Sequence, residues 1–130
     1  MTVHAIRLAG PWQRYTADAE PVRVTLPCHT PGDAQPSSLD RKFHRPSGLT
    51  DQSEVVIVIT ADTASLDVTI NDQQVSEEGH RDTGSWVEVS FRVTPLLKSF
   101  NSLSIRCAER IPLTLHSVVI RIHEQGPANQ

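Results

Sequence analysis

The chain has 130 residues, a length that suits one domain with a core needing no disulfides or metals to be stable. Its 15 acidic and 12 basic residues leave a formal net charge of −3, which argues against binding nucleic acid or a membrane surface through bulk charge. No stretch approaches the roughly 20 apolar residues of a membrane span, and residues 1–10 lack a signal-peptide pattern, so we expect a cytoplasmic protein.

Strand patterns recur along the whole chain, as runs of Val, Ile and Thr bounded by Pro, Gly, Asn or Asp. They predict eight strands, near residues 4–9, 22–27, 38–44, 54–61, 65–71, 86–93, 102–108 and 113–123. The run 54–61, EVVIVITA, is apolar at nearly every position, as in a strand covered on both faces. The pair Asn71-Asp72 tolerates the positive backbone angles of a tight turn, which predicts a hairpin there.

The absence of a helical period indicates an all-β sandwich. We predict a single domain over residues 1–124, with residues 27–38 as a surface loop and 125–130 as a frayed tail.

The two cysteines, Cys28 and Cys107, each close an alternating apolar run. This placement favours two buried thiols that pack as small hydrophobic groups. A disulfide between them would be unusual in a reducing compartment. The adjacent pair Cys28-His29 does not have the spacing of a zinc chelate.

The segment 93–101, VTPLLKSFN, interrupts two alternating runs and predicts a short helical turn. Thr94 can cap such a turn, and Pro95 fits its first position because the N–H that proline lacks would be unpaired there. Leu96 and Leu97 can then close the open end of the sandwich. Asn101 is the expected left-handed residue that ends the turn.

Several segments, in the same order, resemble the sugar-binding domain of family 2 glycoside hydrolases, the β-galactosidase and β-glucuronidase relatives. The matching stretches are LAGPW at 8–12, VRVTLP at 22–27, LDRKFHRP at 39–46, SLDVTINDQQV at 65–75 and VTPLLKSFNSLSI at 93–105. The resemblance implies an eight-stranded jelly-roll β-sandwich of the galactose-binding type. In those enzymes this domain is non-catalytic and precedes a catalytic barrel.

Trp86 is the first candidate for ligand contact. In GSWVEVSFRV it shares the outward parity with Glu88, Ser90 and Arg92, and an exposed indole is the usual platform for a sugar ring. The alternative is that Trp86 folds over the sandwich edge or into a subunit contact. The polar loop 77–85 beside it carries His80, Arg81 and Asp82, which offer the hydrogen-bond donors and acceptors that a polyol uses. The same residues are equally compatible with a solvated loop that binds nothing.

Arg41 has an inward parity between Leu39 and Phe43, so it must be paired. A structural ion pair with a loop aspartate and a ligand contact are both compatible with the pattern. Trp12 is expected in the core.

Cofactor and metal signals are weak. Related jelly rolls often hold a structural calcium, for which the loop carboxylates Asp33, Asp51 and Asp82 are candidates, but no spacing marks a calcium loop. We therefore assign no metal and no other cofactor. Elbow, phosphate-loop and dinucleotide motifs of enzymes are absent from the sequence.

Two functions follow from these patterns. One is a stand-alone, non-catalytic carbohydrate-binding module. The other is a protein-interaction or assembly module without a sugar site, which would self-associate through outward residues such as Glu88, Ser90 and Arg92. A homo-oligomer and a separate catalytic chain are the partners to consider, and neither nucleic acid nor membrane is expected.

Overall fold

The computed structural model describes residues 2–16, 20–30, 37–107 and 113–124, and these residues form twelve β-strands with no α-helix among them. In chain order the strands are β1 (Thr2–Arg7), β2 (Trp12–Thr16), β3 (Val22–Val24), β4 (Cys28–Thr30), β5 (Ser37–His44), β6 (Ser53–Ala61), β7 (Leu66–Ile70), β8 (Gln73–Val75), β9 (Gly79–Asp82), β10 (Val87–Arg92), β11 (Phe100–Cys107) and β12 (Leu113–Glu124). The all-β prediction is confirmed. Within those ranges, no helix has the length and apolarity that crossing a bilayer requires.

The strands form two antiparallel sheets that pack as a sandwich. The front sheet has the order β1-β12-β6-β10-β9, and β4 also pairs with β12. The back sheet has the order β3-β2-β5-β11-β7-β8. Because β12 pairs with β6 along one side, β1 and β4 lie end to end along its other side.

A single hydrophobic core lies between the sheets. Trp12 is fully buried there, and its indole Nε1 donates a hydrogen bond to the carbonyl of Leu8 at 2.8 Å. This confirms the core assignment of Trp12. Cys28 is a buried free thiol, as predicted, whereas the prediction for the Cys107 side chain falls outside the described part of the structure.

The central strand β6 shows how the front sheet is covered. Ile57 and Ile59 face the core and are fully buried. On the opposite, outer face Val58 is only 4% exposed, while Val56 and Thr60 beside it are half-buried. The predicted burial of both faces therefore holds around Val58 but not along the whole strand.

The predicted turn at residue 94 is present as a 3₁₀ turn, Thr94–Leu96, with Pro95 in its first positions. Leu96 and Leu97 pack against the core from its end. Thr94 does not cap the turn; its hydroxyl instead accepts a hydrogen bond from the Val55 amide at 2.8 Å. The capping prediction was wrong because the Thr94 hydroxyl hydrogen-bonds to the backbone of Val55 in β6 instead.

The prediction that Asn101 adopts a left-handed conformation was also wrong. Among the described non-glycine residues, positive φ occurs only at Asn71 (52°) and Asp72 (66°), the predicted hairpin turn. Asn101 lies in β11 and is 1% exposed. Its side-chain oxygen accepts hydrogen bonds from the Lys98 amide at 2.8 Å and from Asn71 Nδ2 at 3.0 Å. The buried side-chain amide of Asn101 therefore connects the residues that follow the 3₁₀ turn to the hairpin at Asn71.

The structure divides the described residues into twelve strands where the sequence predicts eight. The additional strands are β2, β4, β8 and β9, which have three to five residues each and carry many polar side chains. Such short segments hold too few alternations to show a period of two. The predicted tail at 125–130 lies outside the described residues.

Candidate ligand site on the front sheet

Trp86 lies just before β10 on the outer face of the front sheet and is partly exposed. A tight turn places it there. The Trp86 carbonyl accepts hydrogen bonds from the Thr83 amide at 2.8 Å and the Thr83 hydroxyl at 2.9 Å, and Gly84 between them has a φ of 96°. Trp86 is not among the residues of the core cluster.

The indole of Trp86 stacks on the imidazole of His116. The ring centroids are 4.7 Å apart and the planes differ by 18°. Stacked aromatic pairs of this geometry contribute about 0.5–1.5 kcal/mol beyond their buried area. One face of the indole is therefore held by a second ring, which fixes the orientation of Trp86 on the sheet surface.

A β-bulge in β12 brings His116 to that face. The pairing of β12 with β6 shifts between Leu115 and Ser117, so His116 is the extra residue. Before the bulge Leu115 is buried, and after it Val118 is buried, while His116 itself is exposed. A bulge re-aims one side chain without ending the strand.

The same bulge lies where β1 ends and β4 begins along β12. This break in the sheet edge leaves a pocket of about 160 Å³. Its lining residues are Arg7, Ala9, Leu26, Pro27, His116, Ser117 and Val118. The pocket is smaller than the roughly 300–1,000 Å³ sites that enclose drug-sized ligands, so it suits part of a ligand that also rests on the surface.

Further polar groups fix the end of the sheet beside the stack. His29 Nδ1 and the Thr114 hydroxyl share a hydrogen bond of 2.8 Å between β4 and β12. The Asp62 carboxylate accepts the Thr114 amide at 3.0 Å, and the Asp62 amide donates to the Thr114 carbonyl at 3.2 Å. These bonds tie β12 just before the bulge to β4 on one side and to Asp62, which follows β6, on the other.

The polar segment 77–85 is not simply a loop, because β9 forms an edge strand paired with β10. Arg81 lies opposite Glu88 and forms an ion pair with it at 3.0 Å on the outer face. His80 lies opposite the buried Val89, and Asp82 opposite Val87, so both belong to the core-facing side. Because paired residues share a face, His80 and Asp82 are not brought together with Trp86.

His80 and Asp82 each have a hydrogen-bond partner close to them in sequence. His80 is paired with Glu77 at 3.0 Å, and the Asp82 carboxylate accepts the Gly84 amide at 2.8 Å. Their assignment as ligand contacts therefore stays a prediction that the geometry of the Trp86 stack does not support.

Arg41 lies on the core-facing side of β5, as predicted, opposite Leu103. Its guanidinium donates to the Pro11 carbonyl at 3.0 Å, and its Nε is buried without a partner among the described atoms. Within the described ranges no carboxylate pairs with Arg41, so the predicted ion pair with a loop aspartate is not found there. Arg41 is not among the residues that line the pocket beside His116.

The described residues contain no group of three or more His, Cys, Asp or Glu side chains placed to hold a metal ion. Asp51 precedes β6, whereas Asp82 lies opposite Val87, which pairs with the last residue of β6. At about 3.3 Å per residue, the nine-residue β6 holds these two carboxylates roughly 25 Å apart. Asp33 lies outside the described residues.

The outer face of the front sheet also carries a bidentate ion pair, at the opposite end of β10 from Trp86. Arg92 donates from Nε and Nη2 to the Glu54 carboxylate at 2.6 and 2.9 Å. These hydrogen bonds lower the pKa of Glu54 below its ordinary value, and the carboxylate raises the pKa of Arg92. Glu54 is thereby held ionised, which is the reverse of what a general acid needs.

Sequence reasoning missed His116 and Arg7, although a signal for the first is present. In LTLHSVVIRI the buried residues occupy odd positions up to Leu115 and even positions from Val118 onward. That change of phase is the pattern of a bulge. No comparable signal exists for Arg7, since its position depends on where β1 ends beside β4.

Comparison with protein-family models and with curated proteins finds no match for this chain. Among solved structures, the chain is similar to the FMN-binding β-glucuronidase from Facaelibacterium prausnitzii L2-6, with a TM-score of 0.70 and 16% sequence identity. The fold is similar to part of a glycoside hydrolase. The match covers 92% of this chain and 22% of the enzyme's chain, so the whole enzyme is several times longer than the part that is shared.

Proposed function

We propose that this β-sandwich is a non-catalytic carbohydrate-binding module that holds its ligand against the Trp86–His116 stack. The observation that carries the proposal is the stacked pair itself, lying on the outer face of the front sheet beside a pocket lined by Arg7 and Ser117. The proposal also places the chain with the sugar-binding domains of family 2 glycoside hydrolases. The fold shared with part of a β-glucuronidase supports this placement.

The chemistry of the site suits a sugar. A sugar ring presents an apolar C–H face that packs on an indole, and hydroxyl groups at its rim that need donors and acceptors. Arg7 supplies donors, and Ser117 supplies both a donor and an acceptor, at the edge of the stack. Both residues line the same pocket as His116, so these groups lie on one side of the stack.

The lining of the pocket supports binding over hydrolysis. Most glycoside hydrolases place two carboxyl groups on either side of the scissile bond. Of the described residues that line this pocket, none is an aspartate or glutamate. A module of this kind would deliver a sugar to a catalytic unit carried elsewhere.

Tryptophan fluorescence provides the test, because one of the two tryptophans lies in the stack. Titration with a panel of mono- and oligosaccharides should change the emission of the wild-type protein. Trp86→Ala and His116→Ala should each weaken binding about 30-fold, the scale of losing an anchor residue, as measured by calorimetry. The matched control is Phe100→Ala.

Phe100 is a suitable control because it also pairs with a histidine. It is 50% exposed on the back sheet and contacts His44 with ring centroids 4.8 Å apart, but it is not among the residues of the pocket. Equal losses from Phe100→Ala and Trp86→Ala would show non-specific adhesion to exposed rings. An unchanged signal across the whole sugar panel would rule out the proposed function.

A further inference from the structure

Five described strands lie at the edges of the two sheets and differ in how well they are protected; of these, β4 has only three residues. An edge strand carries unpaired backbone groups, and proteins guard it by making it short or by placing charges on it. In the back sheet the edge strands β3 and β8 have three residues each. In the front sheet β9 has four residues and includes His80, Arg81 and Asp82.

Strand β1 lacks both protections. It is six residues long, with Arg7 as its single Arg, Lys, Asp or Glu residue. Residues 3–7 are all exposed, including Val3 at 50% and Ile6 at 42%. The front sheet therefore ends in a long, weakly charged edge that exposes apolar side chains.

The pairing of β1 with β12 shows which backbone groups point away from the sheet. Leu8, which continues the register of β1, donates its amide to the Val118 carbonyl at 2.9 Å. In an antiparallel ladder, hydrogen-bonded pairs alternate with non-hydrogen-bonded ones. The even residues of β1 therefore bond to β12, whereas Val3, Ala5 and Arg7 direct their N–H and C=O groups away from β12, to an edge that no other described strand pairs with.

We propose that β1 pairs antiparallel with β1 of a second copy of this chain, joining the two front sheets into one. A two-fold axis perpendicular to the sheet sets two requirements. Residues that face each other must have their side chains on the same face of the sheet, and both must direct their N–H and C=O groups toward the other copy. Both conditions are met when the axis lies midway between Ala5 of one copy and Ala5 of the other. Val3 then faces Arg7 of the second copy, and His4 faces Ile6 of the second copy.

The strand itself argues for a second copy as the occupant. An axis at Val3 or at Arg7 would pair fewer residues, whereas an axis at Ala5 pairs all of residues 3–7. It also places the small methyl side chains of the two Ala5 residues opposite each other in a hydrogen-bonded pair. The pairing covers the exposed parts of Val3 and Ile6 and satisfies the outward backbone groups of Val3, Ala5 and Arg7. Arg7 belongs both to this strand and to the lining of the candidate pocket, but the pairing uses its backbone groups and does not require a bound sugar.

A charge swap at Ala5 tests the register as well as the dimer. Because the axis places residue 5 against itself, Ala5→Lys and Ala5→Glu should each be monomeric, and an equimolar mixture of the two should form a heterodimer. Sedimentation velocity at high protein concentration measures this directly. The interface is shorter than a standard one, so the wild-type dimer should dissociate on dilution.

Two controls accompany the swap. Ala5→Ser keeps a small neutral side chain and should remain dimeric. Gln74→Lys adds the same charge to the edge strand β8 and should also remain dimeric. In the wild-type dimer, hydrogen exchange at the amides of Val3, Ala5 and Arg7 should slow as concentration rises.

The proposal fails under any of three results. Wild-type protein that stays monomeric at every concentration would overturn it. So would a dimer that Ala5→Lys leaves intact, since another surface would then form the contact. A mixture of the Ala5→Lys and Ala5→Glu variants that stays monomeric while the wild type dimerises would exclude the register through Ala5.

Discussion

Replacing Asn101 with alanine should destabilise the protein more than its small side chain suggests. The amide makes three hydrogen bonds of 3.0 Å or less, to the Lys98 amide, the Lys98 carbonyl and Asn71 Nδ2. At about 1 kcal/mol net for each bond, the expected loss is about 3 kcal/mol of unfolding free energy. For 130 residues the unfolding entropy is roughly 0.27 kcal/mol per degree, so the melting midpoint should fall by about 11 °C.

Substitutions at the neighbouring Asn71 distinguish the effect of losing side-chain hydrogen bonds from the effect of backbone strain. Asn71 has a φ of 52° and its Nδ2 also donates to the Leu96 carbonyl at 3.0 Å. Asn71→Gly should lose the side-chain bonds only, while Asn71→Ala should lose a further ~1 kcal/mol for the left-handed backbone. A double-mutant cycle between Asn71 and Asn101, read by calorimetry, should show coupling because they share a bond.

The exposed Ser102→Ala serves as the control and should stay within about 0.5 kcal/mol of the wild type. If Asn101→Ala lowered the midpoint by less than about 3 °C, the amide would not be what fastens the 3₁₀ turn to the end of the core.

Two further predictions concern charge and packing. Because Arg92 lowers the pKa of Glu54, the pair should contribute a small stabilisation above the ordinary pKa range of a glutamate, which is lost as the pH falls through the lowered value. Glu54→Gln should therefore reduce the loss of stability between about pH 7 and pH 2 in denaturant titrations, and an unchanged difference would contradict this. A Cβ at Gly10 would lie 2.8 Å from Cγ2 of Thr25, so Gly10→Ala should lower the melting midpoint. Adding Thr25→Ser, which removes that methyl group, should recover part of the loss, and no recovery would mean that the clash is with the backbone of Thr25.

The sequence predicts the long strands well because their side chains alternate over many residues. β6, β10, β11 and β12 each have six or more residues, so the burial period is visible and their inward faces match the core. It also predicts the hairpin at Asn71-Asp72, because few residues tolerate positive φ. These features depend on local chemistry.

The turn at residue 94 shows where local reasoning stops. Pro95 and the two leucines indicate a plug from their residue types alone. The roles of Thr94 and Asn101 could not be predicted, because each hydrogen-bonds to residues distant in sequence, Val55 and Asn71. Sequence rules consider only hydrogen bonds between a polar side chain and backbone groups a few residues away. In the folded chain the same side chain can bond to a strand that is distant in sequence.

The candidate site was predicted only in part. The outward parity of Trp86 follows from its strand, but its stacking partner His116 comes from β12 on the far side of β6. His80 and Asp82 are close to Trp86 in sequence and yet lie on the other side of the sheet, because β9 turns back to pair with β10. Nearness along the chain is therefore a poor guide to a site on a sheet.

By itself, the sequence determined that this chain is a β-sandwich with a buried Trp12, a plugged end and an indole directed outward, since periodicity, turn chemistry and residue size act over short stretches. Only the tertiary structure decided which ring meets that indole, where the pocket opens and which edge of the sheets is unguarded. Those properties depend on pairing between residues as far apart in sequence as Thr2 and Glu124, and pairing register is a property of the assembled sheets.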